Sequence, residues 1–332
     1  MDENRILLAH GGGGSLTREL VEDVIIPLLG GSAEVLPDAA VVPGAEDLGF
    51  TTDAFVVKPL FFRGGDIGSL SVHGTVNDLA VSGFEPLALS MSLIVEEGLD
   101  MAILERVVKS AAEAATACGI RIITGDTKVV ARGEADQLFV STAGIGRRVI
   151  RVSPGDIRVG DRILVSGSIA EHGIAVMSER RGIAFGTEVQ SDSAPVWPLV
   201  KALVDAGIEV HAMRDPTRGG LAACCVEMAT SSRATVELEE ARIPVRTGVR
   251  AACELLGLDP LVVANEGKLV AFVAEADAAR ALEAMRAVPG GAQAAVIGTV
   301  REERAVPAYL RTRFGGERVL DMPYGEELPR IC

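Results

Sequence analysis

Two stretches of mixed strand and helix periodicity meet at RVSPGDIRVGD (151–161), and that junction constrains the fold more than any other feature. It sets one proline and two glycines between two strand-like runs, LFVSTAGIG (138–146) and RILVSG (162–167), where regular structure must break. On its N-terminal side, apolar residues at 16, 20, 24, 25 and 28 recur with a helical period, with Ser15 as the expected N-cap. PLALSMSLIV (86–95) alternates Leu87, Leu89, Met91, Leu93 and Val95 with period two, which predicts a half-buried strand. An Ala-rich helix follows over 101–117, capped by Asp100 and stopped at Gly119, and then a strand over 120–124. Beyond the junction the mixture resumes. Helices are expected at 171–181, 197–206, 218–230 and 276–287, and strands at 208–213, 235–238, 261–274 and 294–300. The pattern predicts an α+β protein of two domains, 1–155 and 156–320, with a tail over 321–332.

Composition sets outer limits. A chain of 332 residues can bury two cores. Aromatics are only 4% against 48% hydrophobic residues, so those cores are expected to be Ala, Val, Leu and Ile. The start, MDENRILLAHGGGG, has a four-residue apolar stretch and predicts no signal peptide. With no apolar run of the ~18–20 residues a membrane span needs, a soluble cytoplasmic protein is expected, with no membrane partner. A formal net charge of −14 disfavours nucleic acid, yet leaves room for a nucleotide bridged to carboxylates by Mg²⁺. The five cysteines lack C-x-x-C spacing, which argues against disulfides and a Cys₄ zinc site. Cys118, Cys224, Cys225 and Cys253 fall in helical stretches and read as small core residues.

Candidate chemistry begins with five aspartates in short polar contexts: Asp47 (GAEDLGF), Asp53 (TTDAF), Asp78 (GTVNDLA), Asp126 (TGDTK) and Asp215 (RDPTRGG). Oxygen ligands at element ends suit a hard cation held partly by substrate phosphates. Caps and Asx-turns explain most of them singly just as well. Asp78 is different, because a carboxylate in an apolar helix is costly unless paired or metal-bound. HGGGG and RDPTRGG each set glycines before a helix, where backbone N–H groups can cradle an anion, with Arg214 or Arg218 as charge partners. A flexible linker explains the first as well, and a plain helix start the second. Lys128 (GDTKVV) and Glu266 (NEGKLV) each lie beside a strand, as a phosphate-binding charge and a candidate general base.

The chain ends DMPYGEELPRIC, with no helical or strand period, and reads as an extended, mobile tail. From Pro323 to Cys332 it can span roughly 30 Å, enough to leave the surface and return into a cleft. A thiol there can travel between active sites. Its own carboxylate disfavours the thiolate, so a receiving site must supply positive charge.

Taken together, HGGGG, TTDAFVVKPLFFRGGDIG, HGTVNDLAVSG, GDTKVV, EHGIAVMSERRG, APVWPLV, RDPTRGG, NEGKLV and the terminal PRIC resemble, in order and over essentially the whole length, the HypE family of hydrogenase maturation factors. That family shares a superfamily with aminoimidazole ribonucleotide synthetase, selenophosphate synthetase and thiamine-monophosphate kinase. The resemblance implies two α/β domains, a homodimer whose N-terminal domains close a shared β-barrel, and ATP near the subunit interface. It implies that a carbamoyltransferase, HypF, loads a carbamoyl group on Cys332. ATP then drives dehydration of that S-carboxamide to a thiocyanate, and the cyanide passes to iron on a HypC–HypD complex for [NiFe] hydrogenase. By resemblance, Cys332 is the acceptor and Lys128 and Glu266 lie near the incoming tail. Asp47, Asp78, Asp126 and Asp215 serve Mg²⁺ and ATP, Asp53 lies beside them and Asn77 near the phosphates. Glu46 and Glu171 stand where the family often has aspartate. Two other classes stay open on residues alone: another ATP enzyme of this fold, and a non-enzymatic thiol carrier.

Overall fold

In the computed structural model, residues 6–29, 37–182, 189–323 and 330–332 are described. The chain opens with α1 (Ser15–Glu19), a π-helical turn (Leu20–Ile25) and α2 (Ile26–Leu28). Ser15 is the first helical residue rather than the cap. The cap is Gly14, with no side-chain bond, and the Ser15 hydroxyl is buried without a hydrogen-bond partner among the described residues.

The first sheet and its helices comprise β1 (Ala40–Val42), β2 (Ala45–Phe55), the short hairpin β3 (Phe61–Phe62) and β4 (Gly65–Asp66), α3 (Ile67–Val81), β5 (Phe84–Glu96), α4 (Met101–Ala117), β6 (Arg121–Val130) and β7 (Leu138–Arg148). The strand order is β1-β2-β7-β5-β6, antiparallel except for the β5–β6 pair. That parallel pair requires a crossover, and α4 supplies it. Asp100 caps α4 by accepting from the Ala102 N–H, and Gly119 follows at φ +72°, both as expected. β5 departs from simple alternation. A register shift between Pro86 and Ala88 turns Leu87 outward, while Leu89, Met91 and Val95 stay in the core.

Helix α3 is apolar nearly all round and buried on most of its length. Asp66 caps it, accepting from the Gly68 and Ser69 N–H groups. At Gly68 any Cβ would collide with the Val107 carbonyl, so glycine lets α3 and α4 cross closely. Both pack on the sheet face that carries Thr51, Asp53 and Phe55. The opposite face carries exposed Phe50, Ile94 and Ile145.

The second sheet comprises β8 (Arg162–Val165), β9 (Val210–Arg214), β10 (Thr235–Glu239), β11 (Val270–Val273), β12 (Ala295–Arg301), β13 (Ala308–Arg311) and β14 (Glu317–Leu320). Its order is β14-β13-β10-β12-β8-β11-β9, with only β10–β13 parallel. The accompanying helices are α5 (Glu171–Arg181), α6 (Trp197–Asp205), α7 (Gly220–Ser232), α8 (Thr247–Leu256) and α9 (Ala278–Arg286). Alternate residues feed two cores. Ile163, Val165, Val270 and Phe272 pack with α7, whereas Leu164, Ala271 and Val273 pack with α6 and α9. Both faces are therefore covered, a three-layer arrangement. The strand expected over 261–274 shrinks to β11, because 261–269 is the irregular segment that carries Asn265 and Glu266. Cys224, Cys225 and Cys253 are buried in α7 and α8, and Cys118 is half-buried at the end of α4. No described helix is long and apolar enough to cross a membrane.

Candidate active site

Carboxylates converge where α3 meets β9. Oxygens of Asp38, Asp78 and Asp215 lie within 4.8 Å of one another. Asp78 comes from the buried helix α3, Asp215 directly follows β9, and Asp38 precedes β1. Like charges that close repel by roughly 3.5 kcal/mol per pair at an effective dielectric of about 20. Partners offset little of this. Arg214 contacts Asp38 at 3.2 Å but also contacts Glu227 at 3.1 Å, and Thr51 donates to Asp78 at 3.0 Å. Burial, with Asp215, Asp38 and Asp53 adding, holds Asp78 well above the usual carboxylate range. Asp215 is pushed up to about 7, chiefly by burial and then by Asp38. Burial raises Asp53 too, eased by the Ala54 N–H and Arg218.

Glu266 joins this group. It is buried, and its Oε1 finds no hydrogen-bond partner among the described residues. Burial pushes its carboxyl well above the usual range, with Asp215, Asp53 and Asp192 adding and Arg218 opposing. The N-terminal glycines close over the same place. Gly13 (φ +74°) lies so near Arg218 that a Cβ would sit 2.6 Å from the arginine Cβ, and Arg218 donates to the Gly11 carbonyl at 2.9 Å. A cavity of about 130 Å³ lies there, lined by Gly13, Asp215, Thr217, Arg218 and Glu227 among others.

These residues fit a hard divalent cation. Octahedral ligands at about 2.1 Å leave opposite oxygens about 4.2 Å apart, so a trio within 4.8 Å closes on one by small side-chain shifts. Neutralising several buried carboxylates is what such an ion supplies.

Not every expected residue arrives there. Asp47 is exposed on β2. Asp126 and Lys128 are exposed on the edge strand β6, paired with each other at 2.6 Å. The register runs Asp53–Thr142–Met91–Gly125, so β6 lies three strand spacings, about 14 Å, from β2. Asp126 falls in the next row, with Ser92 and Ser141, and so faces the opposite side of the sheet, as does Lys128. Within one chain the pair does not join the trio. Asn77 is buried, with its amide donating to the Ala194 and Glu266 carbonyls and its oxygen accepting from the Val196 N–H. It buttons α3 to the Glu266 segment. Asp38 escaped the sequence reading, although Pro37-Asp38 is the same short polar context as the five aspartates chosen. Glu171, where aspartate was expected, contacts Arg246 at 2.7 Å and Lys268 at 3.4 Å.

The tail was expected to be mobile; 324–329 lie outside the described residues. The last three residues are seated. The Val56 N–H donates to a Cys332 backbone oxygen (3.1 Å) and the Lys58 N–H to the Arg330 carbonyl (3.2 Å), which ties the tail's backbone to the segment after β2. Arg330 donates to the Val56 carbonyl at 2.8 Å and to Asp136 at 2.6 Å, and Arg180 donates to the Arg330 carbonyl at 2.7 Å. Ile331 is buried in the first core with Phe62, Val176 and Ala264, and Cys332 packs against that cluster.

Comparison with known proteins places the chain's sequence and fold in a family. The AIR synthase related protein N-terminal domain matches residues 36–148, and the corresponding C-terminal domain matches 158–310. The carbamoyl dehydratase HypE of Bradyrhizobium diazoefficiens is 50% identical over 330 residues, covering 98% of this chain and 95% of that protein. A chain of a crystallised HypE–HypF complex superposes with TM-score 0.88 at 41% identity, over 92% of this chain and 99% of that one. A HypE crystallised in complex with ATP gives TM-score 0.84 at 45% identity, over 99% and 100%. On this full-length likeness, the chain belongs to the HypE family of carbamoyl dehydratases, enzymes of hydrogenase maturation built on the AIR synthase fold.

Proposed function

We propose that the chain binds ATP with Mg²⁺ at Asp38, Asp78 and Asp215 and dehydrates an S-carboxamide on its own Cys332 to a thiocyanate. The observation that carries this reading is the seat itself. Ile331 is buried in, and Cys332 packs against, the core cluster that includes Ala264, two residues before Glu266. The amide oxygen is a poor leaving group. Transfer of the γ-phosphoryl to it gives an imidate phosphate and releases one N–H proton. Loss of phosphate with the second N–H proton then leaves S–C≡N. Glu266, whose Oε1 has no hydrogen-bond partner among the described residues, is the candidate base that takes these protons. Bound Mg²⁺ supplies charge neutralisation for the phosphates. Asp53 and the Gly11–Gly14 segment flank the phosphate-binding region.

Lys128 and Asp126 enter through a second copy. The open face with Phe50, Ile94 and Ile145, and the unpaired edge of β6 with exposed Ile123 and Val129, form an apolar surface suited to homodimerisation. A paired first sheet would close a barrel and carry Lys128 of one copy towards the site of the other, where its charge stabilises the transferring phosphoryl group. HypF is the carbamoyl donor and HypC–HypD the cyanide acceptor in this scheme, which supplies iron cyanide for [NiFe] hydrogenase in the cytoplasm.

Intact-mass spectrometry tests it. Incubation with HypF and its carbamoyl substrate should add one carbamoyl group to the chain, and ATP should then remove one water. ATP turnover as fast in Cys332→Ala as in wild type would sink the proposal.

A further inference from the structure

His172 takes no part in the chemistry just described, yet it is fully buried at the start of α5 and touches the tail. Its Nε2 lies 2.8 Å from the Ile331 carbonyl oxygen and its Nδ1 2.8 Å from the Ser191 hydroxyl. A carbonyl has no proton to give, so Nε2 must donate. Burial holds the ring below the ordinary imidazole range, so it is neutral at pH 7, with the proton on Nε2 and Nδ1 accepting from Ser191. The edge of Phe62 packs against the ring, centroids 5.3 Å apart at 88°, and fixes its plane.

Ser191 opens a strut that reaches Glu266. The Ser191 N–H donates to the Arg63 carbonyl at 2.8 Å, and Gly64 (φ +88°) is pressed so closely that a Cβ would sit 2.8 Å from the Ser191 backbone. Ser193 returns its N–H to the Ser191 hydroxyl at 3.0 Å. Asp192 accepts from the Glu266 N–H at 3.3 Å and lies 3.1 Å from the Lys268 ammonium, while the Ala194 N–H donates to the Glu266 carbonyl at 3.4 Å. At Gly267 any Cβ would collide with the Asp192 carbonyl. Asp192 and Ala194 are thus clasped to the backbone of the candidate base, and their neighbour Ser191 reaches the tail through His172.

We infer that His172 is a positioning residue. It reads the backbone of the seated tail at Ile331 and, through Ser191 and Asp192, ties occupancy of the seat to the placement of Glu266. The role of Glu266 rests on the dehydratase reading above, but the His172–Ile331 contact does not. When the tail leaves, a buried N–H loses its acceptor, so the ring favours the seated state. The contact is to main chain, so it does not depend on which group the thiol carries.

The test is the rate at which Cys332 is alkylated by iodoacetamide in the full chain, localised by mass spectrometry, with and without Mg-ATP. Cys224, Cys225 and Cys253, all buried, report loss of fold. His172→Ala should raise the Cys332 rate about tenfold or more in at least one condition. His172→Gln, whose amide also donates at the distal position, should return it to within about threefold of wild type. Ser191→Ala keeps the imidazole but removes its orienting donor, and should fall between the two. Equal Cys332 rates in His172→Ala and wild type in both conditions overturn the inference. So does a Gln variant as exposed as the Ala variant while the buried cysteines stay protected. If His172→Ala unfolds, the Gln and Ser191→Ala variants decide, and wild-type protection in Ser191→Ala overturns the strut. Because this readout needs no carbamoyl donor, a protected, His172-dependent thiol on a chain that never loses water would overturn the dehydratase proposal alone.

Discussion

The converging carboxylates beside α3 and the exposed Asp126–Lys128 pair on β6 each include an aspartate expected to serve the nucleotide, but they are built on opposite principles. Asp215 is buried and Asp38 and Asp78 half-buried, their oxygens lie within 4.8 Å of one another, and burial with the neighbouring carboxylates holds Asp78 well above the usual carboxylate range. Asp126 is satisfied in place: its lysine partner and the Thr127 N–H hold its carboxyl below the usual range. The first group stores a demand for a ligand within one chain. The second is stable alone and gains a role only when another surface approaches.

Substitution should separate the two. Asp78→Asn should lower ATP-dependent dehydration at least 100-fold while raising the stability of the metal-free chain by about 1–2 kcal/mol, since a poorly compensated buried charge is removed. Chemical denaturation without Mg²⁺ checks the second half, and a destabilised variant would show that the trio is compensated after all. Next in size is Val129→Glu on the β6 edge. It should shift sedimentation towards a single chain and lower turnover about tenfold, with the unfolding midpoint hardly moved. Unchanged turnover in a chain shown to be monomeric would confine the chemistry to one copy.

The pH response follows from burial. Asp215 has a folded pKa of about 7, above the unfolded value of about 3.9. The folded chain therefore binds more protons between those values, and this contribution to stability is lost as pH rises through them. Thermal scans of metal-free protein should show a midpoint that falls between pH 5 and pH 8. Asp215→Asn or added Mg²⁺ should flatten that fall. The smallest effect is expected at Asp126→Asn, whose unfolding midpoint should be indistinguishable from wild type, because an exposed ion pair contributes little. A larger loss would place β6 inside the folding core.

The sequence made some of this legible for definite reasons. Asp78 stood out because its neighbours are apolar, and burial within α3 is what makes its charge consequential. α4 was readable to its cap because Asp100 and Gly119 act locally. Asp126 looked like Asp215 in sequence, since both sit directly beside turn-forming residues, and Asp47 lies within three residues of Gly44 and Gly49. Only register decides that Asp126 falls on the far side of the sheet and that Asp47 stays exposed on β2. Asp38 was missed because its role depends on residues 40 and more positions away. The shift at Pro86–Ala88 that turns Leu87 out has no local signal beyond a proline in a strand. The seat for Arg330–Cys332 is assembled from segments around 56–58, 136, 172, 180 and 264, a combination that no periodicity contains.

Asp53 lies two residues before Phe55, the last residue of β2, and Val56 and Lys58 carry the backbone bonds to Cys332 and Arg330. The nucleotide side and the thiol side therefore share a single rail six residues long, 53–58. Anything that shifts the rail on binding ATP shifts the berth of the thiol with it. By linkage, the factor by which ATP tightens the tail equals the factor by which the tail tightens ATP. The two substrates should bind as cooperating ligands rather than in independent order, with the end of β2 as their common lever.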